Sequence, residues 1–451
     1  MGHSLNEVPV SMNAARPAAR PPGPPAPFEV TVDPATFEVL PRWSAAYGPL
    51  LGVRSPHNSR QTYVLFEPEL VRHVLVTHHR NYAKGRGFER VKMLLGNGLI
   101  VSDGPLWRRR RRMLQPAFQR PSVERLSAVM RAVTHRYLQR WRAAAEEARA
   151  LDITRETSAF ALDVILESIF GQDLAAWRDE AGHTPFHILV DETVRDLRLA
   201  VQFRALRKRV IELAHWRRKR DVQRMDFLGH YLAARDAETG APLDDEALAD
   251  EVMTLIVAGH ETTGVTLNWI WHLLAWHPEA AAQLQAEVDT LPTQAPPRFA
   301  DLPRLPCARR VMDEALRLYP PVWLFTRRAV AEDHLGGFRV PVGTEIAIPV
   351  YTLHRHPDHW QAPEVFDPDR FLPERTRARH RYAYLPFSMG ARRCTGEVFA
   401  QTETLIHLGW VARHLTFEPL DPEVVPLEPG VNLRPARPIR LLPHLRRQDT
   451  D

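Results

Sequence analysis

The chain has 451 residues, of which 44% are apolar and 25% are charged, a composition typical of a globular protein. Its net charge of +5 comes from 59 basic and 54 acidic residues, an excess too small to indicate nucleic-acid binding. The two cysteines, Cys307 and Cys394, exclude a disulfide framework and favour a reducing compartment. The sequence contains no secretory leader and no run of about 20 apolar residues, which predicts a cytoplasmic protein without a membrane span.

The chain begins with a Pro-rich stretch, Pro17–Pro27, which cannot hold a helix because each proline lacks a backbone donor. We expect residues 1–28 to be a disordered lead, residues 29–445 a single domain without a composition break, and residues 446–451 a tail. The segment Thr62–Phe66 then alternates like a β-strand.

Further along the chain, the helical period dominates. Long amphipathic stretches cover residues 121–146, 156–170, 186–219 and 245–276. The last would extend for about 45 Å, and Asp244 or Asp245 can cap its start. A β-rich region near 326–353 follows, and a helix at about 396–414 precedes the Pro-rich end. These elements predict a mainly α fold with a minor β region.

The loop FSMGARRCTG delivers Cys394 to the start of the last predicted helix. Backbone N–H groups and the positive helix end favour a thiolate there. Gly390 and Gly396 allow the backbone to approach a flat group, and the guanidinium of Arg392 suits a carboxylate. A lone cysteine is usually a small buried apolar residue, and we adopt that interpretation for Cys307. For Cys394 the surroundings favour a metal-ligating thiolate.

Two helical patterns contain polar side chains at informative spacings. Glu314 and Arg317 stand at i and i+3 on one helical face, a pattern that is also frequent by chance, and Arg370 in FDPDRF could join them. The segment AGHETT places Gly259 and Thr262 on one face of the longest helix. A glycine inside a helix costs about 1 kcal/mol relative to alanine, so a neighbouring group is expected to need its space.

A run of arginines follows a tryptophan in the segment WRRRRR. Trp107 and Arg111 stand at i and i+4 on one helical face, whereas Arg108, Arg109 and Arg112 point elsewhere. A run of arginines is most often a solvated helix face.

In this order and spacing, the four patterns resemble the cytochrome P-450 family of haem-thiolate enzymes. FSMGARRCTG fits the family's loop pattern FxxGxRxCxG at all five fixed positions, and EALR fits its ExxR helix. FDPDRF, AGHETT and WRRRR fit the segments that supply a second arginine, the oxygen-activating helix and the haem-propionate motif WxxxR. The resemblance covers about residues 30–440. It implies the P-450 fold, with haem between a long central helix and the cysteine-ligand loop.

The resemblance also implies roles for single residues. Cys394 would be the axial ligand of a haem b (iron protoporphyrin IX). The other residues carried over are, for the haem pocket, Trp107, Arg111, Arg328, Phe387, Arg392 and Gly396; for proton delivery to bound O2, Glu261 and Thr262; and for a network behind the loop, Glu314, Arg317 and Arg370. For the propionates, Arg327 is an alternative to Arg328.

The sequence departs from the family pattern in two places. Ser388 and Thr395 stand where the family often has glycine and an aliphatic residue, which would tune hydrogen bonding around the thiolate. The stretch between Phe170 and Asp226, where the substrate lid would lie, is short, and this predicts a wide pocket open to solvent.

The function implied is that of a soluble, bacterial-type monooxygenase that oxidises a hydrophobic small molecule. Electrons would come from a separate acidic ferredoxin or flavodoxin, since no length remains for a fused flavin domain. That partner would dock on Arg108, Arg109, Arg112 and the neighbouring Arg393 of a monomeric protein. Basic residues over 195–209 leave an acid or carrier-bound substrate open. A peroxygenase or isomerase, and a non-catalytic haem sensor, are the alternative hypotheses.

Overall fold

The computed structural model describes residues 20–31, 33–57, 61–88, 92, 95–190, 197–292 and 294–446. Within these ranges the fold is mainly helical with a minor β region, as the sequence predicts. The helices are α1 (Thr36–Tyr47), α2 (Pro68–Arg72), α3 (Gly104–Leu114), α4 (Arg120–Glu146), α5 (Ile153–Phe170), α6 (Leu197–Lys219), α7 (Phe227–Ala233), α8 (Asp245–Trp276), α9 (Pro278–Asp289), α10 (Pro306–Leu318), α11 (Val350–Leu353), α12 (Pro373–Ala378) and α13 (Glu397–His414). Of the helices in the described ranges, none combines the length and apolarity that crossing a bilayer requires.

The strands form one larger sheet and three smaller ones. They are β1 (Leu50–Arg54), β2 (Gln61–Leu65), β3 (Tyr82–Lys84), β4 (Leu151–Asp152), β5 (Phe325–Ala329), β6 (Asp333–Leu335), β7 (Phe338–Val340), β8 (Glu345–Ile348), β9 (Leu415–Pro419), β10 (Leu427–Pro429), β11 (Leu433–Pro435) and β12 (Arg440–Leu445). The larger sheet has the order β1-β2-β8-β5-β3, and only β2 and β8 run parallel. A β4-β12-β9 sheet and the hairpins β6-β7 and β10-β11 complete the β region.

The central helix α8 coincides with the predicted stretch 245–276. Asp244 caps its start, because its carboxylate accepts a hydrogen bond of 2.7 Å from the backbone N–H of Ala247. A Cβ at Gly259 would lie 2.9 Å from the Ile165 side chain of α5. The group that needs the space at Gly259 is therefore Ile165, and the missing side chain lets α5 and α8 pack closely.

The predicted helix over 186–219 is shorter in the structure, where α6 begins at Leu197. Pro185–Leu189 instead forms a 3-10 turn, because the His187 ring accepts the Thr184 N–H at 2.9 Å and satisfies that backbone group locally. Residues 191–196 lie outside the described residues, so the open pocket expected from a short lid stays a prediction.

The structure describes the last part of the expected lead and only the first residue of the expected tail. Residues 20–28, which we assigned to a disordered lead, form extended chain along β1. The Gly52 N–H donates to the Pro22 carbonyl at 2.8 Å, because a proline that cannot donate still offers an acceptor. Residues 1–19 lie outside the described residues, as do residues 447–451 of the expected tail.

Candidate active site

A cavity lies where α8 passes the loop that precedes α13. Its empty space is about 1530 Å³, including the part open to solvent. Residues of α8 that recur with each helical turn line it, namely Glu251, Thr254, Leu255, Ala258, Gly259, Thr262, Thr263 and Thr266. The loop and the start of α13 contribute Phe387, Ser388, Arg392, Arg393, Cys394, Thr395, Gly396 and Phe399.

The cysteine loop has a closed backbone geometry. The Cys394 N–H donates to the Phe387 carbonyl at 2.8 Å, and Gly390 adopts a left-handed φ of 69°. A Cβ at Gly390 would overlap the carbonyl oxygen of Leu75, so only glycine fits there. Cys394 is open to the cavity. Burial raises the pKa of the Cys394 thiol, and a hydrogen bond from the Gly396 backbone N–H lowers it.

The two departures in the loop have separate consequences. Ser388 has a φ of 56°, a left-handed conformation that favours glycine. The expected effect of Thr395 on the hydrogen bonds of the thiolate stays a prediction, and the structure shows a contact to α3 instead. The Thr395 hydroxyl accepts a hydrogen bond of 2.7 Å from the Arg111 guanidinium, which also donates to the Arg393 carbonyl at 3.0 Å. Thr395 therefore ties α3 to the cysteine loop.

Trp107 and Arg111 of α3 and Arg392 of the loop all line the cavity. The Arg392 guanidinium lies 4.1 Å from the centroid of the Trp107 ring. It also forms an ion pair with Asp103 and donates to the Ser102 carbonyl at 3.0 Å. Three of the side chains expected to hold the haem propionates thus lie together. Asp103, which the sequence analysis did not predict, holds Arg392 in place.

The fourth expected side chain, Arg328, is not part of this group. Along β5 successive side chains alternate in direction, so Arg328 is exposed whereas Arg327 is buried. Arg327 stands beside Lys84 in the β3-β5 pairing. Arg327 therefore replaces Arg328 in the cluster. Lys84, which lines the cavity and lies 3.8 Å from the Phe88 ring centroid, was missed because no motif surrounds it.

The buried cations form an excess of positive charge. Burial lowers the pKa of Lys84 well below its usual value, and the charges of Arg327 and Arg392 lower it further. Burial, followed by the Arg392 charge, lowers the pKa of Arg327 to about 10. Asp103 opposes both shifts but carries one negative charge. A bound group that carries more than one negative charge would offset the remaining positive charge of these cations.

The two residues expected to handle protons face different ways, because neighbouring residues of a helix point about 100° apart. Thr262 lines the cavity, and its hydroxyl donates to the Ala258 carbonyl at 2.8 Å. The Glu261 carboxylate lies 3.5 Å from the guanidinium of Arg434 on β11 and is absent from the described cavity lining. Glu261 therefore does not face the cavity in this conformation.

Glu251 is a second acid that the sequence analysis missed. Its buried carboxylate lines the cavity and accepts the Leu99 N–H at 2.9 Å and an Arg110 N–H at 3.3 Å. Burial raises its pKa to about 7. Glu251 precedes Thr262 by three helical turns on the same face, and this spacing was the signal that could have identified it.

The ExxR residues form a buried network with the second arginine. The Glu314 carboxylate accepts hydrogen bonds of 2.7 and 2.8 Å from Arg317 and of 3.2 Å from Arg370. It also accepts the Asp367 N–H at 2.9 Å, and Arg317 donates to the His354 carbonyl at 3.1 Å. The network ties α10 to the segment that leads to the cysteine loop.

Two basic clusters flank the site. Arg108, Arg109 and Arg112 are exposed on α3, and the latter two pair with Asp236 at 3.5 Å and Glu238 at 2.8 Å. In the cluster over 195–209, Arg195 lies outside the described residues, while Arg207 pairs with Asp250 at 2.5 Å and Glu246 at 2.6 Å. Arg207 is therefore already neutralised within the fold.

Comparisons with known proteins show the family to which the chain belongs. The family model described as cytochrome P450 matches residues 28–184 and 183–443. The chain is 36% identical to cyclooctatin synthase of Streptomyces melanosporofaciens over 425 residues, 89% of this chain and 90% of that protein. It is 36% identical to pentalenene oxygenase of Streptomyces avermitilis over 411 residues, 87% and 90% of the two chains. The solved cytochrome P450DA heme domain superposes with a TM-score of 0.84 at 28% identity, covering 95% of this chain and 97% of that one.

Proposed function

This chain belongs to the cytochrome P450 family and is a haem-thiolate monooxygenase, and from that membership we propose which residues carry the reaction and which class of substrate it oxidises. The observation that carries the proposal is one cavity lined by the Cys394 thiol, by buried cations and by Thr262. The thiol provides a metal ligand, the cations provide sites for carboxylates, and the hydroxyl is a proton-bearing group within the same space.

The residues present fit haem b, the cofactor of the family. Cys394 would hold the iron as a thiolate, beside Phe387 and Gly396. Lys84, Arg111 and Arg392, with the indole of Trp107 and the charge of Arg327 behind them, would hold the two propionate carboxylates. The lowered pKa values of the buried cations support this assignment, because two propionates would supply the missing negative charge.

Bound haem supplies the centre at which O2 is activated with electrons from a redox partner. The Cys394 thiolate donates electron density to that centre. The Thr262 hydroxyl donates to the Ala258 carbonyl. When this hydrogen bond breaks, the hydroxyl can donate its proton into the cavity. We propose that Glu261 replenishes this proton by leaving Arg434, its partly buried partner on β11.

We propose a terpenoid substrate, a hydrocarbon or a simple alcohol. The names of two relatives, pentalenene oxygenase and cyclooctat-9-en-7-ol 5-monooxygenase, support this class. The side chains of the cavity support it too, because they are largely apolar and would exclude water from the oxidation. They include Leu99, Ile100, Phe118, Ile165, Leu255, Val322 and Phe325. Within the basic cluster, Arg207 is paired with Asp250 and Glu246 and therefore gives no support to an acidic substrate.

The proposed substrate class is tested by titrating the ferric haem protein with ligands and recording its spin state. We expect sesquiterpene and diterpene hydrocarbons or alcohols to shift the spin state at micromolar concentration. Fatty acids of matched carbon number should be weaker ligands. A clear preference for the fatty acids would overturn the terpenoid proposal. Product formation with O2, a reductase and a ferredoxin then tests turnover.

We expect Thr262→Ala to leave substrate binding nearly unchanged and to lower severalfold the product formed per reductant consumed, with peroxide accounting for the difference. The reason is that Thr262 lines the cavity and its hydroxyl carries a proton. The measurement is the ratio of product to reductant and to peroxide. Thr266→Ala is the matched control, because Thr266 makes the same hydrogen bond, 2.8 Å to the carbonyl one turn earlier. Unchanged coupling in Thr262→Ala would reject the role.

We propose that an acidic ferredoxin or flavodoxin docks on the exposed arginines of α3 and on Arg393. Charge steering of this kind fades with salt, because screening acts over about 8 Å at physiological ionic strength. We therefore expect the rate of haem reduction to fall steeply as salt rises. The triple variant Arg108→Gln, Arg109→Gln and Arg112→Gln should slow reduction without changing substrate affinity.

Neutral glutamine is preferred to charge reversal in this test, because a new carboxylate at position 109 or 112 would face Asp236 or Glu238 of the same chain. Arg149→Gln is the control, since Arg149 is an exposed arginine at the far end of α4 that pairs with Glu147 at 3.0 Å. Salt-independent reduction in the wild type, with the triple variant equal to the control, would mean that the arginines form an ordinary solvated face.

A further inference from the structure

Two histidines and an aspartate converge outside the cavity, between α2 and β3. The imidazole of His73 lies 2.8 Å, Nε2 to Oδ2, from the carboxylate of Asp333 on β6. The rings of His73 and His78 are stacked, with centroids 3.8 Å apart and planes 14° apart. One potential ligand atom from each of the three side chains lies within 4.8 Å of the other two.

The backbone brings the two histidines together through a π-helical turn. Residues 73–77 continue α2 with the wider π-helical hydrogen bonding, and the His78 N–H donates to the His73 carbonyl at 2.8 Å. Residues five apart then lie above one another, which an α-helix would not allow. Isolated π-helical turns are frequent at functional sites.

The Thr77 side chain contacts both histidine residues. Its hydroxyl lies 3.2 Å from the His73 carbonyl, to which it can donate, and 3.2 Å from Nδ1 of His78. The His78 side chain is exposed, so solvent reaches this side of the cluster.

The carboxylate of Asp333 is held in place from both oxygens. Tyr82 donates its hydroxyl to Oδ2 at 2.8 Å, and the His334 backbone N–H donates to Oδ1 at 2.8 Å. Together with the 2.8 Å contact to His73, these hydrogen bonds orient the Asp333 carboxylate, and such outer hydrogen bonds are usual around metal-ligating carboxylates.

We propose that His73, His78 and Asp333 bind a divalent transition-metal ion such as Zn²⁺. Two imidazoles and one carboxylate are ligands that suit Zn²⁺, and solvent can complete the coordination beside exposed His78. Stacked rings hold their nitrogen lone pairs in parallel planes, so the His78 ring would leave the stack on His73 when it binds the ion.

The ion would brace the segment behind the cysteine loop. Leu75 lies between the two histidine ligands, and its carbonyl oxygen is in direct contact with Gly390. An ion that joins the π-helical turn to β6 therefore restrains the turn against which the loop packs. This site is separate from the proposed reaction and does not depend on it.

The test is calorimetric titration of Zn²⁺ into the haem-loaded, tag-free protein after chelator treatment. We expect one equivalent to bind with a micromolar dissociation constant and the melting temperature to rise. His78→Ala should weaken binding at least about tenfold, as should Asp333→Asn. His334→Ala is the matched control, since its backbone N–H to Asp333 remains and its side chain is no proposed ligand.

His78 is exposed, so His78→Ala keeps the test decisive even if Asp333→Asn fails to fold. Wild-type protein that binds no Zn²⁺ at millimolar concentration would overturn the proposal. Binding that survives unchanged in His78→Ala would also overturn it, because the ion would then be held by other histidines of the surface. Equal loss in His334→Ala and His78→Ala would point to the same conclusion.

Discussion

Replacement of Cys394 by serine will abolish the strongly red-shifted absorption band of the reduced carbon-monoxide complex and reduce turnover to background. Replacement of Cys307 by serine will leave both intact. Cys394 opens onto the cavity; burial raises the pKa of its thiol, and the Gly396 N–H hydrogen bond opposes that rise. Cys307 is buried at the start of α10, and burial raises its pKa to about 11, so it remains a thiol at neutral pH.

The comparison of the two variants distinguishes the loss of the iron ligand from the loss of a thiol elsewhere in the protein. Both replace a thiol by a hydroxyl of similar size, and the absorption spectrum reports ligation whether or not a substrate is known. A Cys394→Ser protein that keeps the red-shifted band would show that another residue holds the iron. Loss of the band in Cys307→Ser alone would assign the ligand to the other cysteine.

Glu314→Ala and Arg317→Ala should each greatly reduce the yield of soluble, haem-loaded protein. Both side chains are completely buried and are joined by two hydrogen bonds of 2.7 and 2.8 Å. Removal of one partner leaves the other charge buried without compensation, which typically costs about 3–5 kcal/mol. Since folded domains are stable by only about 5–15 kcal/mol, most of the margin is lost. Thermal melting and the haem-to-protein ratio measure the effect.

An exposed ion pair supplies the matched control. Arg339 and Glu332 are 2.6 Å apart, with 59% and 46% of their side chains exposed. Arg339→Ala should therefore leave the melting temperature and haem content almost unchanged, because solvent screens such a pair. Normal melting and full haem content in Glu314→Ala would contradict the structural role that we assign to the network.

Several features of the site could be predicted because they depend on residues close in sequence. The loop around Cys394 needs a left-handed residue at Gly390, and the pair of Glu314 and Arg317 needs only one helical turn. The cap at Asp244 likewise follows from a polar residue before a helical pattern. The family resemblance added the roles of these residues, which no local pattern contains.

Other features could not be predicted because they depend on contacts between distant segments. Arg327 and Arg328 are equivalent in sequence, and only the pairing of β5 with β3 decides that Arg327 faces Lys84. Likewise, the ion-pair partner of Glu261 is Arg434, which is 173 residues later in the chain (434 − 261), so the local sequence does not reveal it.

By itself, the sequence determined the mainly α fold and the pair of Glu314 and Arg317, and the family resemblance added the prediction that Cys394 binds iron. Helical period and helical spacing encode the first two within a few residues. The tertiary structure alone decided which cations share the cavity, where Glu261 points and that His73, His78 and Asp333 converge. Each of these outcomes depends on how one element is placed against another, and hydrogen bonds and charges across that interface select the side chain that turns inward.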